Sequence, residues 1–179
     1  HVFGDAKAQT EDSAFETWEK QKQKEKMSKP DAGVLDGVPK GLPALQRAAR
    51  VIEKVTKVGF QWADMTGPLA KLDEELGELK TEILALEAAA KKEADTTALK
   101  KKVEGELGDL LFSLCNLAYL SKINPEDALR GMLMKFESRF GHVERRLKQQ
   151  GRTLDQSDLK EMDQYWEEAK KIEREPGSR

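Results

Sequence analysis

Apolar side chains recur at Leu69, Leu72, Leu76, Leu79, Ile83 and Leu86. Steps of three and four residues place them along one side of an α-helix and predict a packing seam there. Val103, Leu107, Leu110, Leu114 and Leu117 repeat the spacing within a second long helix expected from about Thr97 to Ser121. Upstream, Leu45, Ala48, Ala49, Ile52 and Val55 predict a shorter helix, with Gly59 as its C-terminal stop. Asn124 and Pro125 read as the cap and first position of a further helix that closes before Gly151. A last helix is expected over about Ser157 to Glu173. Residues 5–29 are polar and lysine-rich and read as a solvated helix that stops before Pro30. The stretches 30–43 and 59–68, rich in Gly and Pro, read as loops. No segment sustains the two-residue alternation of a strand, so the expected fold is all-α, an arrangement resembling a four-helix bundle.

Composition changes this picture little. Charged residues make up 36% and aromatics 6% of the 179 positions, which suits a helical protein better than a β-sandwich. A formal net charge of −2 gives no general pull towards nucleic acid or an anionic membrane. No apolar run approaches the roughly 20 residues that span a bilayer, and no signal-peptide pattern opens the chain, so a cytoplasmic setting and no membrane partner are expected. The single cysteine, Cys115, excludes an internal disulfide framework. With one cysteine and two histidines there is no set for a Cys/His zinc site, and His142 has no visible nucleophilic companion. Acidic residues remain as the candidates for chemistry.

On the first long helix Lys71, Glu75, Glu78 and Glu82 form a stripe beside the leucine seam; on the second, Glu106, Asp109, Ser113 and Asn116 do the same. The second helix is apolar almost all round, so its polar stripe calls for a reason. If the helices are neighbours, Glu75, Glu78, Glu106 and Asp109 converge. Converging carboxylates must take up protons or share a cation. Oxygen ligands alone suit a hard ion such as Mg2+, which is often shared with substrate phosphates. Spacing leaves a second reading equally open, in which these residues are solvated partners of nearby lysines.

The two pairs, Glu75-x-x-Glu78 and Glu106-x-x-Asp109, resemble the signature of the MazG family of nucleoside triphosphate pyrophosphohydrolases. So do "LDGVP" (35–39), "LPAL" (42–45), "GFQW" (59–62), "GDLLF" (108–112), "KFESRF" (135–140) and "YWEEAK" (165–170), in the same order. Gln61 departs from the family, where an acidic residue is common. The resemblance implies a dimeric all-α fold that hydrolyses a nucleoside triphosphate to monophosphate and pyrophosphate, as in house-cleaning of nucleotide pools. It implies Mg2+, with Mn2+ as a substitute, held by Glu75, Glu78, Glu106 and Asp109. It implies substrate contacts from Lys71, Lys135, Arg139, Trp166 and Lys170. Among the catalytic candidates Glu74, Glu75 and Glu78, a carboxylate not fully engaged by metal, Glu74 or Glu78, is expected to be the base. Asn116 reads equally as a substrate or carboxylate partner and as a satisfied buried amide. Lys135 with Arg139, and Trp166 with Lys170, do share helical faces at four-residue spacing. Relatives can carry two such domains in tandem. Residues 1–41 are therefore expected to be a linker from a preceding domain, 42–175 the catalytic helical domain, and 176–179 a tail. The competing function is a catalytically silent helical module for protein–protein interaction.

Overall fold

A computed structural model describes residues 33–174 of the chain. The helix expected at 5–29 lies outside the described residues. Within them are five α-helices, a short 3-10 turn and no strand: α1 (Ala44–Thr56), α2 (Thr66–Lys91), α3 (Thr97–Leu120), α4 (Pro125–Gln149), the turn Leu154–Gln156, and α5 (Leu159–Arg174).

The helix ends follow local chemistry. Gly59, at φ +89°, closes α1: its N–H donates to Thr56 O and the Phe60 N–H to Val55 O, each at 3.0 Å, the paired bonds of a Schellman cap. Asn124 Oδ1 accepts from the Glu126 and Asp127 N–H groups, and Pro125 opens α4 as the sequence suggested. One boundary differs. Gly67 and Pro68 read as loop, yet α2 begins at Thr66, because a proline in the first turn lacks only an N–H that would have no helical partner there. Asp64 Oδ1 accepts from the Thr66 N–H at 2.8 Å and helps start the helix.

The long helices α2 and α3 pack extensively along each other across a short link and form an antiparallel hairpin. Lys102 Nζ reaches Glu82 Oε1 at 3.3 Å near the link end. Helix α1 lies across α3 and also meets α4, and α5 packs on α4. Ile52, Leu79, Cys115, Val143, Leu147 and Ala169 are buried. Cys115 is thus a core residue, and the apolar surroundings push its thiol up.

The hairpin is less covered than expected. On α2 the buried positions are Pro68, Glu75 and Leu79, while Leu69, Leu76 and Ile83 are exposed. The face against α3 is therefore rotated from the leucine seam towards the carboxylates. On α3, Leu107, Leu111, Phe112 and Leu114 remain 42–46% exposed, because α1, α2 and α4 together do not surround it. Among the described residues no helix is long and apolar enough to cross a membrane.

Candidate metal and phosphate site

The rotation of α2 puts Glu75 at 4% exposure against α3, beside half-buried Glu106 and exposed Glu78. One oxygen from each of these three carboxylates lies within 4.8 Å of the other two. Among the described residues this is the one such group of three or more acidic, histidine or cysteine side chains. Lys71 Nζ, one turn earlier on α2, stands 2.6 Å from Glu75 Oε1 and 2.9 Å from Glu74 Oε1. Those bonds, to Glu75 first and then Glu74, hold the ammonium protonated far above neutral pH.

A single lysine does not neutralise the group. Removal from water pushes the Glu106 carboxyl above its ordinary value, and the charges of Glu78, Asp109 and Glu75, with a hydrogen bond to Glu78, push it further. Three apposed oxygens, two of them on side chains with no ion pair among the described residues, form an oxygen-only donor set that a hard divalent cation fits. Asp109 is exposed one turn further along α3 and lies outside the group of three, although its charge reaches Glu106. Glu82, expected in the same stripe, is engaged by Lys102.

Asn116 is buried at 8% exposure near the C-terminal end of α3. Gln61 Nε2 donates to its Oδ1 at 2.8 Å and to Thr56 Oγ1 at 3.2 Å, while Gln61 Oε1 accepts from the Trp62 N–H at 2.9 Å. Gln61, met in the sequence as a departure, thus ties the loop before α2 to the polar stripe of α3. That partnership crosses 55 positions, so no local pattern announces it.

The remaining candidates gather on α4 and α5, with one another. Arg139 Nε donates to both oxygens of Glu173, at 3.2 and 3.1 Å, and Nη2 donates to Oε2 at 2.8 Å. Its guanidinium lies 5.5 Å from the Trp166 ring centre, and that ring lies 5.0 Å from Phe136. Lys170 Nζ binds Glu167 Oε1 at 2.6 Å, and Lys135 is exposed. Among the described residues no hydrogen bond or ion pair joins this group to the carboxylates of α2 and α3. Glu173, the partner that occupies Arg139, carried no signal in the sequence.

Residues 63–144 match the MazG nucleotide pyrophosphohydrolase domain, a segment that holds every candidate except Trp166 and Lys170. The chain is 36% identical over 170 residues to the nucleoside triphosphate pyrophosphohydrolase/pyrophosphatase MazG of Thermotoga maritima, covering 95% of this chain and 59% of that protein. It is 34% identical over 173 residues to the nucleoside triphosphate pyrophosphohydrolase of Escherichia coli, covering 97% and 62%. With the uncharacterized protein YabN of Bacillus subtilis it shares 40% identity over 174 residues, covering 97% and 33%. The chain therefore spans less than two thirds of the length of these relatives.

Proposed function

We propose that the chain belongs to the MazG family and hydrolyses nucleoside triphosphates to the nucleoside monophosphate and pyrophosphate, a house-cleaning reaction. The observation that carries the reading is the group of Glu75, Glu78 and Glu106 with Lys71 beside it. Mg2+, with Mn2+ as a substitute, would be held by these three carboxylates with Asp109. When bound, the ion would offset phosphate charge and make a water more acidic.

The chain's own residues do the rest. Lys71 neutralises charge on the phosphate chain from the edge of the group, and Glu74 or Glu78 accepts the proton of the attacking water. Glu74 is tied to Lys71, whereas Glu78 is exposed within the acidic group. Lys135, Arg139 and Lys170, on α4 and α5, would supply the further phosphate contacts, with Trp166 backing the Arg139 guanidinium. Glu173 and Glu167 must then give up the cations they hold. Asn116 supports the end of the polar stripe.

The exposed leucines of α2 and α3 favour a homodimer in which each hairpin covers the other. The same surface supports the second reading, a silent interaction module. Phosphorus NMR of a nucleoside triphosphate incubated with the chain and magnesium decides between them. Monophosphate and pyrophosphate support hydrolysis at the α–β linkage, free orthophosphate contradicts that reaction, and an unchanged spectrum leaves the interaction module.

A further inference from the structure

The loop between α1 and α2 places Trp62 over the first turn of α2. A Cβ at Gly67 would overlap the indole at Cδ1, Nε1 and Cγ, so the ring edge is seated on the helix backbone, and glycine is what admits it. The residue nevertheless stays 44% exposed. Its own N–H is held by Gln61 Oε1, and Gln61 is anchored on buried Asn116. The ring is thus fixed on one side and open on another.

Its position follows from the two helices. Gly67, Lys71, Glu74 and Glu78 fall at steps of four, three and four residues, a single face of α2. Glu106, Asp109, Ser113 and Asn116 fall at steps of three, four and three on α3. Because the helices run antiparallel, both stripes lead to the same loop: one starts beneath the indole at Gly67, and the other ends at Asn116 on the Gln61 tether. Gly67 is eight residues from Glu75 and eleven from Glu78, about 12 to 16 Å along the helix. An extended nucleoside triphosphate covers that span from base to phosphate chain. Trp166, the other described tryptophan, has Phe136 and Arg139 against its ring instead.

We infer that Trp62 is the platform on which the nucleobase stacks, with Gln61 and Gly67 as the residues that position it. The inference rests on the pyrophosphohydrolase reading and adds where the base goes. Stacking on an indole accepts any base, because each has a π-face.

The test compares a non-hydrolysable nucleoside triphosphate with inorganic tripolyphosphate, which keeps the phosphate chain and lacks the base. Binding is measured by calorimetry with magnesium, and KM and kcat by pyrophosphate release. Trp62→Leu is expected to weaken nucleotide binding and raise KM by about tenfold, leaving tripolyphosphate binding and kcat nearly unchanged. Trp62→Phe should recover most of the loss. Gly67→Ala, which lifts the ring without removing it, should fall between. A leucine variant with unchanged nucleotide affinity overturns the platform, as does equal weakening of both ligands or equal loss in the phenylalanine variant. A wild-type chain that neither binds nor hydrolyses triphosphates removes the underlying reading itself, and the platform with it.

Discussion

On α2 and α3, Glu75, Glu78 and Glu106 crowd together, with Lys71 the one cation paired to them among the described residues. On α4, α5 and the connection between them the acids meet bases: Glu173 holds Arg139, Glu167 holds Lys170, and Glu161 holds Arg152 at 2.6 Å. The carboxyls respond in opposite directions. Burial and neighbouring acids push Glu106 up, whereas hydrogen bonds from Arg152, Lys170 and Arg139 hold Glu161, Glu167 and Glu173 down. The first arrangement sets like charges against one another, and the second pairs opposite ones. Uncompensated charge, and not the number of charges, is what supports the proposed site on the hairpin, since α4 and α5 are rich in charges too.

The largest effect expected from breaking this contrast is on turnover. Glu106→Gln removes an oxygen anion from the group and should lower kcat by more than about a hundredfold, beyond the 10- to 100-fold loss that follows removal of a partner outside the metal shell. Glu161→Gln, in the paired region, should leave kcat within a small factor and lower the melting temperature. A Glu106→Gln enzyme with near-normal turnover, measured by pyrophosphate release, would assign the chemistry elsewhere.

Next in size is the response to the ion. Magnesium at about a hundred times its Kd should stabilise the wild type by about 2.7 kcal/mol, because it binds the folded form. Asp109→Asn should gain less from magnesium, yet melt above wild type in EDTA, because one charge that opposes the Glu106 carboxylate is gone. Melting curves with and without magnesium give both rankings. A mutant no more stable than wild type in EDTA would show that Asp109 stands too far out to matter.

The apolar side of the hairpin gives a third contrast. Leu111→Lys together with Leu114→Lys should convert a dimer to monomer in sedimentation equilibrium, since both side chains are exposed on α3. A wild type that is already monomeric at micromolar concentration would mean that this face has another partner.

Much of this was legible in the chain. The three- and four-residue periodicity located α2 and α3, and Asn124, Pro125 and Gly59 marked ends that depend on local backbone chemistry alone. The acidic pairs were visible because their spacing fixes the helix face they share. Their depth was not. The leucine seam suggested that Leu76 lies inside and Glu75 at its border, but α2 turns Glu75 inward and leaves Leu76 exposed. Periodicity defines an apolar side without saying which edge of it meets the neighbour, and a leucine side awaiting a second copy looks the same as one buried within the chain. The partnerships of Gln61 with Asn116 and Arg139 with Glu173 were hidden for a different reason: they join residues 55 and 34 positions apart.

Acidification should separate the two regions in metal-free protein. Glu161, Glu167 and Glu173 have folded values below the ordinary 4.5, so the stability they contribute is present above that value and lost as pH falls through the lowered ones. Glu106 is raised, so its ionised form costs stability above its folded value, and that cost disappears as pH falls below the ordinary one. Hydrogen exchange in EDTA should therefore show α2 and α3 keeping or gaining protection as pH drops from neutral to the carboxylate range. Loss on α5 should follow only below that range. Simultaneous loss across both regions would argue that the charges of the hairpin are screened.

The smallest expected effect concerns the one cation whose capture most directly opposes the proposed reaction. Glu173 takes two of the three Arg139 nitrogens, in the fork geometry that a phosphate would also use. The pair is partly exposed, and exposed ion pairs contribute little to stability. Glu173→Gln should accordingly leave the fold almost as stable while removing a competitor for the guanidinium. If Arg139 meets the phosphate chain, KM should fall by about two- to fivefold, the scale of an exposed ion pair, whereas Arg139→Ala should raise it. If Glu173 instead holds Arg139 in its working position against Trp166, Glu173→Gln should raise KM as Arg139→Ala does. Steady-state KM for the two variants separates a carboxylate that blocks the arginine from one that aims it. An unchanged KM in both would confine the pair to joining α4 to α5.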